Sequence, residues 1–191
     1  MKTENFQDLK SKETSRGVAV ELFTKVRDVP YALNADGNIE GLFEDGVAGY
    51  TRKHLYLLPR LKKLGYKVDI GIAEFDWREL PIPTDILELL KDPHGYHMFL
   101  YVGTGKATKV VDATWDKGMT RLGFPVFSWD GVSSTGLAIK ATNARRQNLL
   151  TLKTRAIASS TLKKLKNPIE TEATPFNDGF NLWLGEMRGK I

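Results

Sequence analysis

The chain contains no cysteine. This absence excludes disulfide bonds, thiolate metal sites and a thiol nucleophile. Long hydrophobic runs are missing as well, because no apolar stretch approaches the ~18 residues that a membrane-spanning helix needs. The first residues are polar and lack the apolar segment of a signal peptide, so we expect a cytoplasmic protein that does not associate with membranes.

Acidic residues are absent from the stretch 131–169, although the net charge of the whole chain is only +5. A basic segment of this kind can attract phosphate backbones, so association with nucleic acid through residues 140–166 is one alternative. We favour a solvated helix face, because few aromatic residues are present there to stack on bases. The basic residues of the stretch are Lys140, Arg145, Arg146, Lys153, Arg155, Lys163, Lys164 and Lys166.

Neither a cofactor nor a metal site is predicted. The GTGK sequence at 103–106 is similar to part of a phosphate-binding loop, but Ala107 replaces the Ser or Thr of that motif. Asp92, His94 and His97 are candidate metal ligands by residue type, yet their odd and even spacing would divide them between two faces of a strand.

The most regular feature of the sequence is an apolar run that begins after Gly49 and ends at Gly65. Its apolar residues recur at spacings of three and four, which predicts an amphipathic helix with a bend at Pro59. The unpaired N–H groups and positive dipole at the start of such a helix can stabilise an anionic nucleophile or an oxyanion. The residues of the apolar face are His54, Leu55, Leu57, Leu58, Leu61 and Leu64.

A β-hairpin is predicted from two β-type runs, residues 97–102 and 106–113, which are separated by Gly-Thr-Gly. If the turn is a two-residue loop, His97 lies directly opposite Asp112, with Cβ atoms ~5 Å apart. A carboxylate at that distance can orient an imidazole ring.

The remaining segments indicate a single α+β domain. We expect a polar N-terminal arm at residues 1–15, a core at residues 16–139 and a basic helical C-terminal extension at residues 140–191. Phe180, Leu182, Trp183 and Met187 are expected to pack the last helix against the core. Further elements are predicted as a helix near 18–26, a strand over 68–75 and a short helix at 85–90.

Four pieces of the chain occur in an order that resembles a known family. They are Val26–Tyr31, Gly46–Tyr66, His94–Phe99 and Val111–Asp116. Together they are similar to the core of the transglutaminase-like superfamily, which has the fold of papain-like cysteine enzymes. The resemblance covers roughly residues 16–136 and implies a central helix packed on an antiparallel sheet.

The resemblance also assigns roles to the candidate site residues. In that family a cysteine at the start of the central helix attacks an amide carbonyl, a histidine moves the proton and an aspartate orients the histidine. The resemblance gives the last two roles to His97 and Asp112. Counting back from Lys53 puts the family's cysteine at Tyr50, whereas aligning on the glycine two residues before the nucleophile puts it at Thr51.

Loss of the thiol changes the expected function. Tyrosine has a pKa of ~10 and is a poor acyl-transfer nucleophile, and its ring would fill the space that a scissile carbonyl needs. We therefore expect a catalytically inactive transglutaminase-like protein, whose cleft of Tyr50, His97 and Asp112 binds a protein or peptide partner. The alternative is an amidase, acyltransferase or peptidase-type enzyme that uses Thr51 with the His97–Asp112 pair.

Overall fold

The computed structural model describes residues 6–35, 37–104, 107–147 and 175–189, with side chains from residue 13 onward. These residues form helices and one four-stranded antiparallel sheet, which confirms the predicted α+β class. None of the helices in the described ranges has the length and apolar character needed to span a bilayer. The helices predicted between residues 148 and 166 lie outside these ranges.

The sheet has the strand order β3-β2-β1-β4. Its two central strands are β1, Lys67–Asp76, and β2, His94–Gly103, and its edge strands are β3, Lys109–Val111, and β4, Thr142–Gln147. The strand predicted over residues 68–75 is confirmed as β1. The segment from residue 140 was predicted as a basic helical extension, but residues 142–147 are a strand that pairs with β1, and for these residues the prediction was wrong.

The first part of the chain forms two long helices that pack on each other, and the second of them packs on the sheet. Helix α1 spans Phe6–Arg27, so residues 6–15, which were predicted as a separate polar arm, belong to this helix. Helix α2 spans Tyr50–Lys63 and confirms the predicted central helix. Gly65 ends the α2 region with a φ of +89°, a left-handed conformation that glycine adopts at low cost.

The apolar core forms two clusters that β2 separates. Met98, Leu100 and Val102 belong to the cluster beneath α1 and α2, whereas Phe99 belongs to the other cluster. This division follows from strand geometry, since successive side chains point to opposite faces of a sheet. The second cluster also contains most of the buried aromatic residues, namely Tyr31, Phe75, Trp115, Phe124, Phe176 and Phe180.

The last two helices pack near each other. Helix α3, Thr84–Leu87, is a single turn, and α4 spans Pro175–Gly189. Phe180 of α4 is fully buried, as predicted. Leu182, however, is 67% exposed, so its predicted packing was wrong, and Leu184 is buried instead. The buried residues of α4 follow the four-residue spacing of Phe176, Phe180 and Leu184, which presents one helix face to the core.

Candidate functional site at the start of the central helix

Tyr50 is the first residue of α2, where the resemblance places a nucleophile. Gly49 precedes it in an extended conformation, no side chain among the described residues caps the helix, and the first turn contains no acidic residue. The Tyr50 hydroxyl donates a hydrogen bond of 2.7 Å to the backbone carbonyl of Tyr96. The Tyr50 ring lies against the His97 ring with a centroid separation of 5.0 Å. A phenol therefore covers one side of the imidazole.

His97 and Asp112 are in direct contact, with 2.7 Å between His97 Nε2 and Asp112 Oδ2. Their register differs from the predicted one, because Leu100 pairs with Val111 and the strands are offset by two residues. The turn is longer than two residues, and part of it, residues 105 and 106, lies outside the described ranges. A shift of two residues keeps every side chain on its original face, so the two groups meet as diagonal rather than directly opposed neighbours.

The Asp112 carboxylate is buried and accepts hydrogen bonds at both oxygens. Oδ2 accepts from His97 and from the Ala138 N–H at 2.8 Å, and Oδ1 accepts from the Thr114 N–H at 3.1 Å and the Thr114 hydroxyl at 2.6 Å. Burial by itself raises the pKa of Asp112, but the His97 ring and these hydrogen bonds outweigh burial and hold the pKa below its usual range. Asp112 is therefore a carboxylate at neutral pH.

This carboxylate determines which nitrogen of His97 carries the proton. An ionised carboxylate only accepts hydrogen bonds, so Nε2 of His97 must be the donor. In the neutral ring Nδ1 is then the basic nitrogen. The pair therefore has the chemical form of a general base held by an orienting acid.

His54, one turn along α2 from Tyr50, lies beneath the site and is fully buried. Its Nε2 accepts the Ala113 N–H at 2.9 Å, so its Nδ1 donates to the Tyr50 carbonyl at 2.8 Å. Burial lowers the pKa of His54 to about 4, so the ring is neutral at pH 7. The 3.5 Å approach of His54 to Asp112 is consequently not an ion pair. His54 is a neutral bridge from helix α2 to the chain just after β3.

Lys53 is also fully buried, and its amine connects three parts of the fold. Its Nζ donates to the carbonyl of Arg27, at the end of α1, and to the carbonyl of Thr114, each at 2.9 Å. Burial lowers the pKa of Lys53 to about 7, against the opposing influence of nearby Asp116. The amine therefore holds α1, α2 and the segment after β3 together through neutral carbonyl partners.

The structure brings Tyr50, His97 and Asp112 together. The Thr51 side chain is exposed, and no hydrogen bond joins it to His97 within the described part of the chain. Tyr50, rather than Thr51, is thus the residue of the first turn that packs against His97. The alternative of a Thr51 nucleophile receives no geometric support.

Sequence reasoning missed the loop residues that complete the site. The Thr135 hydroxyl accepts the Asp112 N–H at 3.0 Å, and Ala138 donates to the carboxylate of Asp112. These residues lie more than twenty positions beyond Asp112, so no local pattern indicates them. Thr114 could have been found, because an aspartate commonly bonds the backbone two residues further along.

The structure gives little support to a metal site or to a nucleic-acid site in the basic segment. Among the described residues no group of three or more His, Asp or Glu side chains is arranged to hold a metal ion. The described part of the basic segment is paired with carboxylates. Its ion pairs are Lys140–Glu79, Arg145–Glu74 and Arg146–Asp69. The other basic residues of segment 140–166 lie outside the described ranges.

No family model matches this chain, and no curated protein or solved structure matches it. The transglutaminase-like assignment therefore stays a prediction from the sequence.

Proposed function

We propose that the chain is a catalytically inactive protein with a transglutaminase-like core, whose cleft around Tyr50, His97 and Asp112 binds a protein or peptide partner. The observation that carries this proposal is the position of Tyr50. Its ring packs on the His97 ring, and its hydroxyl donates a hydrogen bond to the Tyr96 carbonyl. The group beside the His97 base is therefore a phenol, which is a poor acyl-transfer nucleophile at neutral pH.

The absence of activity is tested directly on the full chain. We expect no amide hydrolysis, transamidation or ester hydrolysis above background with small glutamine-containing and ester substrates. Turnover that disappears in His97→Ala would contradict the proposal, because it would show that the pair still serves a reaction.

A sharper test asks whether the site retains the geometry of a thiol enzyme. Because the chain has no cysteine, Tyr50→Cys introduces a single reporter thiol. A thiol at the start of a helix and beside an imidazole has a pKa well below the ordinary ~8.5. We expect its alkylation by iodoacetamide to remain fast down to about pH 6, where an ordinary thiol reacts slowly.

Two variants control this measurement. Thr51→Cys places a thiol on the same helical turn, with the same helix dipole, but at an exposed position without a bond to His97, so its pKa should stay nearer the ordinary ~8.5 than the pKa of the thiol at position 50. The double variant Tyr50→Cys with His97→Ala should lose most of the acceleration. If the thiols at positions 50 and 51 react with the same pH profile, the transglutaminase-like assignment of the site fails.

The binding role is tested through Tyr96, which is 63% exposed and whose carbonyl holds the Tyr50 hydroxyl. Peptides selected for binding to the full chain should lose affinity at least tenfold for Tyr96→Arg. They should bind Val132→Arg normally, since Val132 is 50% exposed but belongs to the loop after residue 130 and not to β2. Equal losses in both variants would show that the selected peptides do not use the cleft.

A further inference from the structure

A second candidate site lies between α4 and the turn of 3₁₀ helix at Lys117–Leu122. The two elements enclose a cavity of about 170 Å³. An engineered protein cavity of ~150 Å³ with an apolar lining is known to hold benzene, so this one has room for one aromatic ring or a short aliphatic chain. Its apolar walls are formed by Met119, Leu122, Leu184 and Met187.

The walls of the cavity are fixed on both sides. The Asp116 carboxylate accepts the Gly118 N–H at 3.0 Å at the start of the turn, and Gly123 ends the turn with a φ of +83°. On the other side the Asn181 amide of α4 makes two hydrogen bonds to the backbone of Leu33, at 2.8 and 3.0 Å. Such preformed apolar cavities with few polar groups are typical of small-molecule sites.

Two guanidinium groups, of Arg188 and Arg121, line the same cavity, and they differ in their partners. Arg188 donates to the Asp116 carboxylate at 2.6 Å and to the Tyr31 carbonyl at 3.0 Å, so its charge is compensated. The guanidinium of Arg121, an exposed residue, makes no hydrogen bond or ion pair with any residue in the described ranges. The cavity therefore joins an apolar interior to one uncompensated positive charge.

We propose that this cavity binds a small organic anion with an apolar body, such as a monocyclic aromatic or short-chain carboxylate. The apolar body lies between the two methionines, and the carboxylate pairs with Arg121, whose planar donors suit a bidentate carboxylate contact. None of the cavity's lining residues belongs to the cleft of Tyr50, His97 and Asp112, so this inference is independent of the proposed function.

The test is a titration of the full chain with benzoate and with benzamide, which has the same ring without the charge. Methyl groups of the four methionines report the binding location by NMR. We expect saturable shifts at Met119 and Met187 but not at Met98, which lies in the other apolar cluster. Benzoate should bind at least tenfold more tightly than benzamide.

Matched variants separate the charge from the cavity. Arg121→Gln should lower the affinity for benzoate about tenfold and leave the affinity for benzamide unchanged. Lys117→Gln removes a charge from the same turn at a position that does not line the cavity, so it should change neither affinity. Leu122→Phe fills the cavity and should abolish binding of both compounds. If that variant fails to fold, Met187→Phe fills the cavity from the α4 side.

Three results would overturn the proposal. The first is the absence of saturable shifts with either compound at millimolar concentration. The second is an equal loss of benzoate affinity in Arg121→Gln and Lys117→Gln, which would indicate long-range charge rather than a site. The third is unchanged binding in a folded cavity-filling variant.

Discussion

Charged and polar groups occur in two contrasting settings in this protein. Beneath Tyr50, the side chains of Lys53, His54, His97 and Asp112 are at most 2% exposed. Along β4, by contrast, basic residues pair with carboxylates on an exposed edge strand. Both settings contain close contacts between polar groups, yet the surroundings of those contacts differ completely.

The comparison shows that the length of a polar contact does not by itself determine how much the contact contributes to stability. The 2.7 Å contact of His97 with Asp112 and the 2.8 Å contact of Lys140 with Glu79 are nearly equal in length. Water can replace the second contact but not the first, so breaking the first leaves buried groups without partners. The buried groups thus specify one arrangement of helix and sheet, and the exposed pairs add little.

Removal of the central carboxylate should have the largest effect. Asp112→Ala leaves His97 Nε2, the Ala138 N–H and the Thr114 hydroxyl without their acceptor, and we expect a loss of about 3–5 kcal/mol in the free energy of unfolding. Urea denaturation measures this value. The matched variant Asp69→Ala breaks an exposed pair with Arg146 and should cost less than about 1 kcal/mol. Similar losses in both variants would refute the distinction between the two settings.

The buried amine of Lys53 should make stability depend on alkaline pH. Its pKa of about 7 in the folded state lies below the ordinary value of 10.5, so the unfolded chain binds more protons between these values. Raising the pH from 7 toward 10 should therefore increase the free energy of unfolding, by at most about 1.4 kcal/mol per pH unit.

The control for this prediction is a pair of methionine substitutions. Lys53→Met loses the hydrogen bonds to Arg27 and Thr114, so it should be less stable overall, but this increase with pH should disappear. Lys140→Met removes an exposed lysine and should keep the increase. A wild-type stability that is flat or falls over this range would show that Lys53 is charged in the folded state.

The neutral ring of His54 should produce a similar effect in a narrower range of acidic pH. Its folded pKa of about 4 lies below the ordinary 6.5, so the unfolded chain binds more protons between these values and stability should fall as the pH drops from 6.5 to 4. Chemical denaturation at several pH values measures the slope, which His54→Phe should reduce. An unchanged slope in a folded His54→Phe variant would assign the acid sensitivity to other groups. Loss of stability from Asp112 belongs to still lower pH, because its folded pKa is depressed below 3.8.

The same contrast explains which parts of the fold could be predicted from the sequence. Helix α2 has local signals at both ends, a glycine before it and Gly65 after it, and an apolar face between them. Strand β4 has no such signal, because nearly all of its side chains are exposed and therefore show no alternation. Its strand form depends on pairing with β1, which is a tertiary contact.

The candidate site was predictable only in part, for a related reason. The contact of His97 with Asp112 was predicted although the turn length was wrong, since an error of two residues preserves the face of each side chain. The roles of Thr135 and Ala138 could not be predicted, because a distant loop supplies them. Burial of Lys53 and His54 beneath the site likewise depends on how α1 and the segment after β3 pack on α2.

The smallest effects should come from the exposed ion pairs of β4 and of the residues just before it. Lys140→Ala breaks the ion pair with Glu79, in which the lysine side chain is 79% exposed and the glutamate side chain 38%. The substitution should therefore change the free energy of unfolding by about 0.5 kcal/mol or less. High salt should remove even this difference, because salt screens charges that face water. Denaturation measured at low and at high salt tests this. The effect of Asp112→Ala should be nearly the same at both salt concentrations, since its buried hydrogen bonds are shielded from ions. A salt-independent loss above 1 kcal/mol in Lys140→Ala would mean that the exposed segment leading into β4 contributes to specifying the fold as the buried centre does.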